Sequence, residues 1–147
     1  MARQTVALFV KTDPGLRRFF DTAAGYVVFP KVLKGAVGVG GARGGGVLFQ
    51  RGNIPIGTAT LTQVTVGLQL GGQDYTEIIF FENPRSLADF KDGEFALAAQ
   101  VSAVALSAGA AKSAKYQDGI AVFTATNSGL MFEASVGGQK FKVKPLR

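Results

Sequence analysis

Seven glycines fall between positions 35 and 46: Gly35, Gly38, Gly40, Gly41, Gly44, Gly45 and Gly46. Each glycine inside a helix costs about 1 kcal/mol relative to alanine, so a run this dense is a poor helix. The alternation of Val37, Gly38, Val39 and Gly40 predicts instead a bent strand whose backbone another element approaches closely. A phosphate cradle is the rival reading. Neither G-x-G-x-x-G nor G-x-x-x-x-G-K-[ST] can be placed on the run, because Arg43 stands where the first pattern needs glycine.

The period-two signature recurs along the chain. Val64, Val66, Leu68 and Leu70 alternate with polar or small residues, and Gly71-Gly72 supplies a turn. Tyr26 to Phe29 predicts a short strand ended by Pro30, and Ile78 to Phe81 a continuous apolar strand. Ile120 to Thr126, Leu130 to Val136 and Gln139 to Lys144 predict three successive strands forming a β-meander. Gly-Gly-Gln follows an alternating strand twice, at 71–73 and 137–139, which suggests two equivalent hairpins. Phe95 to Leu106 is compatible with helix by alanine content and with strand by alternation; strand is favoured.

Helical signals are short. Asp13-Pro14 has the form of an N-cap and first helical residue, with Leu16, Phe19, Phe20, Ala23 and Ala24 at helical spacing up to Gly25. Ala2, Val6, Phe9 and Val10 predict a helical turn or two before it, and Asn83-Pro84 opens another helix carrying Leu87 and Phe90. The expected fold class is therefore mainly β with short helices, a β-rich α+β single domain over residues 1–147. Its architecture is a twisted sheet or partly closed barrel with flanking amphipathic helices. A chain of 147 residues is long enough for one core.

The chain has no His and no Cys, which removes the commonest general base, thiolate chemistry and the usual zinc ligands. Glu77, Glu82, Asp89, Asp92 and Glu94 could pair as catalytic carboxylates. They stand beside strand ends, turns and a helix, where solvated charges are expected. No recognisable Ser-Lys motif spans Ser107 to Lys112. The expectation is a non-enzyme with no catalytic residue, metal or cofactor. No apolar run reaches a membrane span, and no export signal is recognisable at the amino terminus.

The net charge of +6 favours anionic partners. Lys140, Lys142 and Lys144 alternate with Phe141 and Val143, which places three ammonium groups on one face of the last strand. That stripe suits anion binding, and equally suits the lysine guard of an edge strand. Lys31, Lys34 and Arg43 form a second candidate patch around the glycine run, and Arg17 and Arg18 lie on the polar side of the helix after Asp13. Phe19 and Phe20 on that helix face either a core or a bilayer.

In order and spacing, several segments resemble the SYLF (Ysc84-like) family. They are Gly25-Tyr26-Val27-Val28-Phe29-Pro30, the run Gly38 to Val47, Thr65 to Gly72, Glu77-Ile78-Ile79-Phe80, and Gly129 to Ala134. The resemblance implies a lipid-binding module, with phosphoinositide and actin association described for eukaryotic members and amino-terminal helical segments implicated in membrane contact. The Gly-Gly-Gln turns look like the bacterial branch, whose members are often exported and lipid-anchored. Bacteria generally lack phosphoinositides and conventional actin, so anionic phospholipid is the ligand the resemblance implies.

The expectation is a membrane-peripheral protein of a bacterial cell envelope, its export segment absent from this chain. Lys31, Lys34, Arg43, Arg17, Arg18, Lys140, Lys142 and Lys144 would meet phospholipid headgroups. No nucleic acid partner is expected. The alternative is a structural or protein-interaction module of the envelope or cytoskeleton.

Overall fold

The computed structural model describes residues 2–34, 41–63, 74–92, 94–98, 101–126 and 134–146. Helix α1 (Ala2–Thr12) is longer than the turn or two expected, and buries Ala2 and Phe9. Asp13 then caps a 3₁₀ turn over Pro14–Leu16, which leads into the short helix α2 (Arg17–Thr22) with Phe19 and Phe20 buried. Both phenylalanines thus serve the core. Helix α3 (Pro84–Lys91) follows the Asn83 cap and buries Leu87 and Phe90, and a fourth helical turn, α4, spans Ala110–Ser113.

The strands are β1 (Gly25–Lys34), β2 (Ala42–Gln50), β3 (Ile54–Gln63), β4 (Tyr75–Phe81), β5 (Glu94–Ala96), β6 (Ser102–Ala105), β7 (Ile120–Thr126), β8 (Ala134–Ser135) and β9 (Lys140–Pro145). They form one mixed sheet in the order β5-β9-β3-β2-β1-β4-β7-β6-β8, antiparallel except where β6 meets β7. The β-rich, partly closed architecture expected from the sequence is therefore present.

Three details differ from the sequence reading. Pro30 does not end β1; the pairing with β2 shifts register between Val28 and Lys31, and this bulge takes up the residue that has no N–H to give the ladder. The last strands do not form a meander, because β9 pairs with β3 and β5 while β7 pairs with β4 and β6. Phe95 to Leu106 contains two short strands, β5 and β6, rather than one. The expected strand Val64 to Leu70, its Gly71-Gly72 turn, most of Leu130 to Val136 and Val37 to Gly40 lie outside the described residues.

The two ends of the sheet are halves of a single interrupted ribbon. β5 pairs with β9, β6 pairs with β8, and between them Leu97 N–H donates to Gln139 O (2.9 Å), Gly138 N–H to Leu97 O (2.9 Å) and Val136 N–H to Val101 O (3.3 Å). The sheet thus curls back on itself through this seam. Gly138, at φ +86°, makes the turn within it, a conformation that glycine adopts without a Cβ penalty.

Curling gives the sheet an inner and an outer face, each with its own core. Val27, Phe29, Leu48, Leu61, Ile79, Phe81, Val122 and Phe141 fill the inside, where Phe90 of α3 packs between Phe81 (4.7 Å between ring centroids) and Phe141 (5.3 Å). On the outside, Tyr26, Val28, Ile78, Phe80 and Phe123 are covered by Phe9, Leu16, Phe19, Phe20 and Ala111. Phe80 sits at the centre of that layer, within 6.0 Å of the rings of Phe19, Phe20, Tyr26 and Phe123. Helices α1, α2 and α4 therefore cover the outer face over β1, β4 and β7, and the outer face over β3 and β9 carries polar side chains.

Candidate functional site

Alternation decides which side chains point outward on β9. Phe141 is buried against the inner core, so Lys140, Lys142 and Lys144 stand on the opposite face, and all three are exposed. Register then carries their positions across the sheet. One row runs Lys31, Gly45, Thr60, Lys142; the next runs Leu33, Arg43, Thr62, Lys140; a third runs Val28, Val47, Thr58, Lys144. Five cations thus share one outer surface with three threonines. At ordinary strand spacing the surface spans about 14 Å from β1 to β9 and a similar distance along the strands.

Two features make this surface accessible. A Cβ built on Gly45 would meet nothing within 4 Å, so the row from Lys31 to Lys142 is open at its centre. Leu33, one of the exposed large apolar residues, is 43% exposed and stands beside Arg43. Lys140 to Lys144 are not the guard of an edge strand, since β9 lies between β3 and β5. Glu94 is the backbone partner of Lys142 on that edge.

The other candidates separate from this group. The Arg18 guanidinium donates to Ala111 O (2.9 Å) and Ala114 O (3.4 Å) and lies 4.6 Å from the Phe19 ring centroid, so it ties α2 to α4. Arg17 borders an open groove of about 610 Å³ between α1 and α2, together with Val6, Val10, Lys11, Phe20 and Asp21. Lys34 ends β1 opposite Ala42; its side chain lies outside the described residues.

A polar cluster inside the barrel was not anticipated. Glu77, read from the sequence as a solvated strand-end charge, is completely buried. Gln139 Nε2 lies 2.9 Å from Glu77 Oε1, 3.1 Å from Gln63 Oε1 and 3.2 Å from the Tyr75 hydroxyl. Burial outweighs the Gln139 hydrogen bond and pushes the Glu77 pKa up to about 8, so the protonated carboxyl predominates at neutral pH. Burial, then the neighbouring Glu77, raises Tyr75 as well. The signal was present: Tyr75, Glu77, Ile79 and Phe81 share one parity, and Ile79 and Phe81 are plainly core residues. Among the described residues no three metal-ligating side chains converge, and no helix is long and apolar enough to cross a membrane.

A sequence model of the Ysc84 family, described as Las17-binding protein actin regulator, matches residues 62–145, more than half of the chain. The chain belongs to the Ysc84 family. Strands β4 to β9, and with them Glu77, Gln139 and the Lys140–Lys144 stripe, fall within the matched segment. The chain is also 26% identical, over 141 residues, to beta cell expansion factor A of Aeromonas veronii. That alignment covers 96% of this chain and 54% of the relative, so this Ysc84-family chain spans about half the length of the curated protein it matches.

Proposed function

We propose that this chain is a non-enzymatic, membrane-peripheral module that recognises anionic phospholipid headgroups through the outer surface of β1, β2, β3 and β9. The observation that carries the reading is the register of Lys31, Arg43, Lys140, Lys142 and Lys144 across four neighbouring strands. An array of ammonium and guanidinium groups spread over four strands matches the several phosphates of a membrane surface better than it matches one small anion. The hydroxyls of Thr58, Thr60 and Thr62 stand between the cations as further hydrogen-bond donors, and the open position at Gly45 leaves room for a headgroup.

Each cation near an anionic surface contributes about 1 kcal/mol, which together supports reversible attachment. Leu33 adds a shallow apolar contact. Attachment of this kind places the protein at a membrane surface, and we assign it to a bacterial cell envelope in keeping with the bacterial relative. The family description as a Las17-binding actin regulator supports a second reading, in which the same cations dock an acidic protein surface.

Co-sedimentation with neutral and anionic vesicles across a salt series tests the first reading. Binding to anionic vesicles alone is expected, weakening as the screening length falls from about 10 Å at 0.1 M to about 3 Å at 1 M salt. Lys140→Glu/Lys142→Glu/Lys144→Glu should abolish it. Retention of vesicle binding by that variant removes the β9 stripe from the site, and failure to bind any vesicle favours the protein-docking reading.

A further inference from the structure

Three buried polar atoms of the interior cluster have no hydrogen-bond partner among the described residues: Glu77 Oε2, Thr124 Oγ1 and Gln139 Oε1. All three residues are wholly buried. Glu77 and Thr124 are direct cross-strand partners on β4 and β7, and both point inward, because Ile79 and Val122, two residues along their strands, belong to the inner core. Cross-strand partners on one face have Cβ atoms about 4.5–5.5 Å apart. Gln139 arrives from the other side of the barrel, with its Nε2 2.9 Å from Glu77 Oε1. Amide bonds of about 1.2 and 1.3 Å then place Gln139 Oε1 within about 5.5 Å of that carboxyl oxygen.

Donor and acceptor chemistry decides what fits among these atoms. The Gln139 amide nitrogen is engaged by the oxygens of Gln63, Tyr75 and Glu77, which leaves its carbonyl oxygen able only to accept. The neutral Glu77 carboxyl accepts from Gln139 at Oε1 and carries its proton on Oε2, where it can only be donated. The Thr124 hydroxyl can do either. A cation has no lone pair for the Glu77 proton, and an anion has no proton for the Gln139 carbonyl. Water accepts and donates at once, and buried waters make about three hydrogen bonds to groups of this kind.

We propose that the barrel interior contains a binding site for a single water molecule, held jointly by Glu77 Oε2, Thr124 Oγ1 and Gln139 Oε1. The water accepts from the Glu77 hydroxyl and donates to the Gln139 carbonyl, and Thr124 completes its shell. With its carbonyl held in this way, the Gln139 amide presents nitrogen to the three oxygens on its other side, which is the orientation those oxygens require. The water thereby adds β7 to the contacts that Gln139 makes with Gln63 of β3 and with Tyr75 and Glu77 of β4.

A crystal structure of the unsubstituted chain at a resolution that shows ordered solvent tests this directly. One solvent peak is expected within about 3.2 Å of all three atoms. Oxygen contacts shortened to about 2.4 Å would mark a metal ion and overturn the proposal. So would a direct Thr124–Glu77 hydrogen bond, or a protein group filling the position. In solution, oxygen-17 relaxation dispersion counts long-lived internal waters. Thr124→Val keeps the side-chain shape and removes the hydroxyl, and it should lose the contribution of one such water relative to the wild-type chain. Unchanged dispersion in that variant overturns the joint site. Should Thr124→Val not fold, the crystal structure of the unsubstituted chain decides alone.

Discussion

The Asp13 carboxylate accepts a hydrogen bond from the backbone N–H of Ala111 at 2.7 Å, joining the first helical segment to a turn 98 residues later in the chain. Its other oxygen accepts from Gly15 N–H at 3.1 Å, so one buried side chain caps both the 3₁₀ turn before α2 and the helical turn α4. Asp13→Ala leaves two donors without their acceptor and should destabilise the fold by about 2–4 kcal/mol in urea denaturation. Asp13→Asn keeps one acceptor and points an amide N–H₂ at the other donor, so an intermediate loss is expected. Equal losses from the two substitutions would show that the double cap is not the source of the stability.

Stability should fall as pH rises through the Glu77 window. The folded state holds the carboxyl proton up to about 8, while the unfolded chain releases it near 4.5. Between those values the folded state binds more protons, so ΔG of unfolding decreases with pH and flattens above the window. The limiting slope for one group is about 1.4 kcal/mol per pH unit. Urea midpoints of the wild-type chain and Glu77→Gln, taken across this range, should differ in slope, with the variant flatter. Parallel curves would place the titration elsewhere.

Two adjacent glycines of β2 should respond oppositely to alanine. A Cβ on Gly46 would strike Val28 O and lie 2.7 Å from the Phe29 ring, inside the barrel where neither can yield. Gly45 faces outward with open space. Gly46→Ala is expected to cost about 1–3 kcal/mol through overpacking, and Gly45→Ala to leave the thermal midpoint within experimental error. A tolerant Gly46 would mean that β1 and β2 are less closely apposed than this.

Charge at the helices and charge on the sheet should separate experimentally. Arg18→Ala removes two carbonyl hydrogen bonds and the contact with the Phe19 ring, and should lower stability by about 1–2 kcal/mol. Vesicle binding of the folded variant should be unchanged. Lys142→Ala should behave the other way, weakening anionic-vesicle binding at near-constant stability. Comparable loss of binding in both would extend the site onto α2.

Much of this fold was legible locally. The Asp13 and Asn83 caps, the apolar strands containing Ile78 to Phe81 and Ile120 to Thr126, and the outward set of Lys140, Lys142 and Lys144 follow from residue type and period. Such features depend on neighbours within a few positions, so the chain announces them. The bulge at Pro30 was misread as a strand end because the register shift that accommodates it is set by pairing with β2, not by the residues next to Pro30 in the chain. The meander was misread for the same reason: β9 prefers β3, some eighty residues earlier, over the strands that precede it.

The sequence by itself determined which side chains each strand and helix presents together, because alternation and helical spacing are properties of the local backbone. Only the tertiary structure decided that Lys31 and Arg43 share a surface with the β9 lysines, since register between strands is set by side chains packing across the sheet. It also decided that Glu77 is buried. Within its own strand the residue has the parity of the core. The curl of the sheet brings Gln139 across the barrel to meet it, making a neutral buried acid out of what the local sequence presents as an ordinary charge.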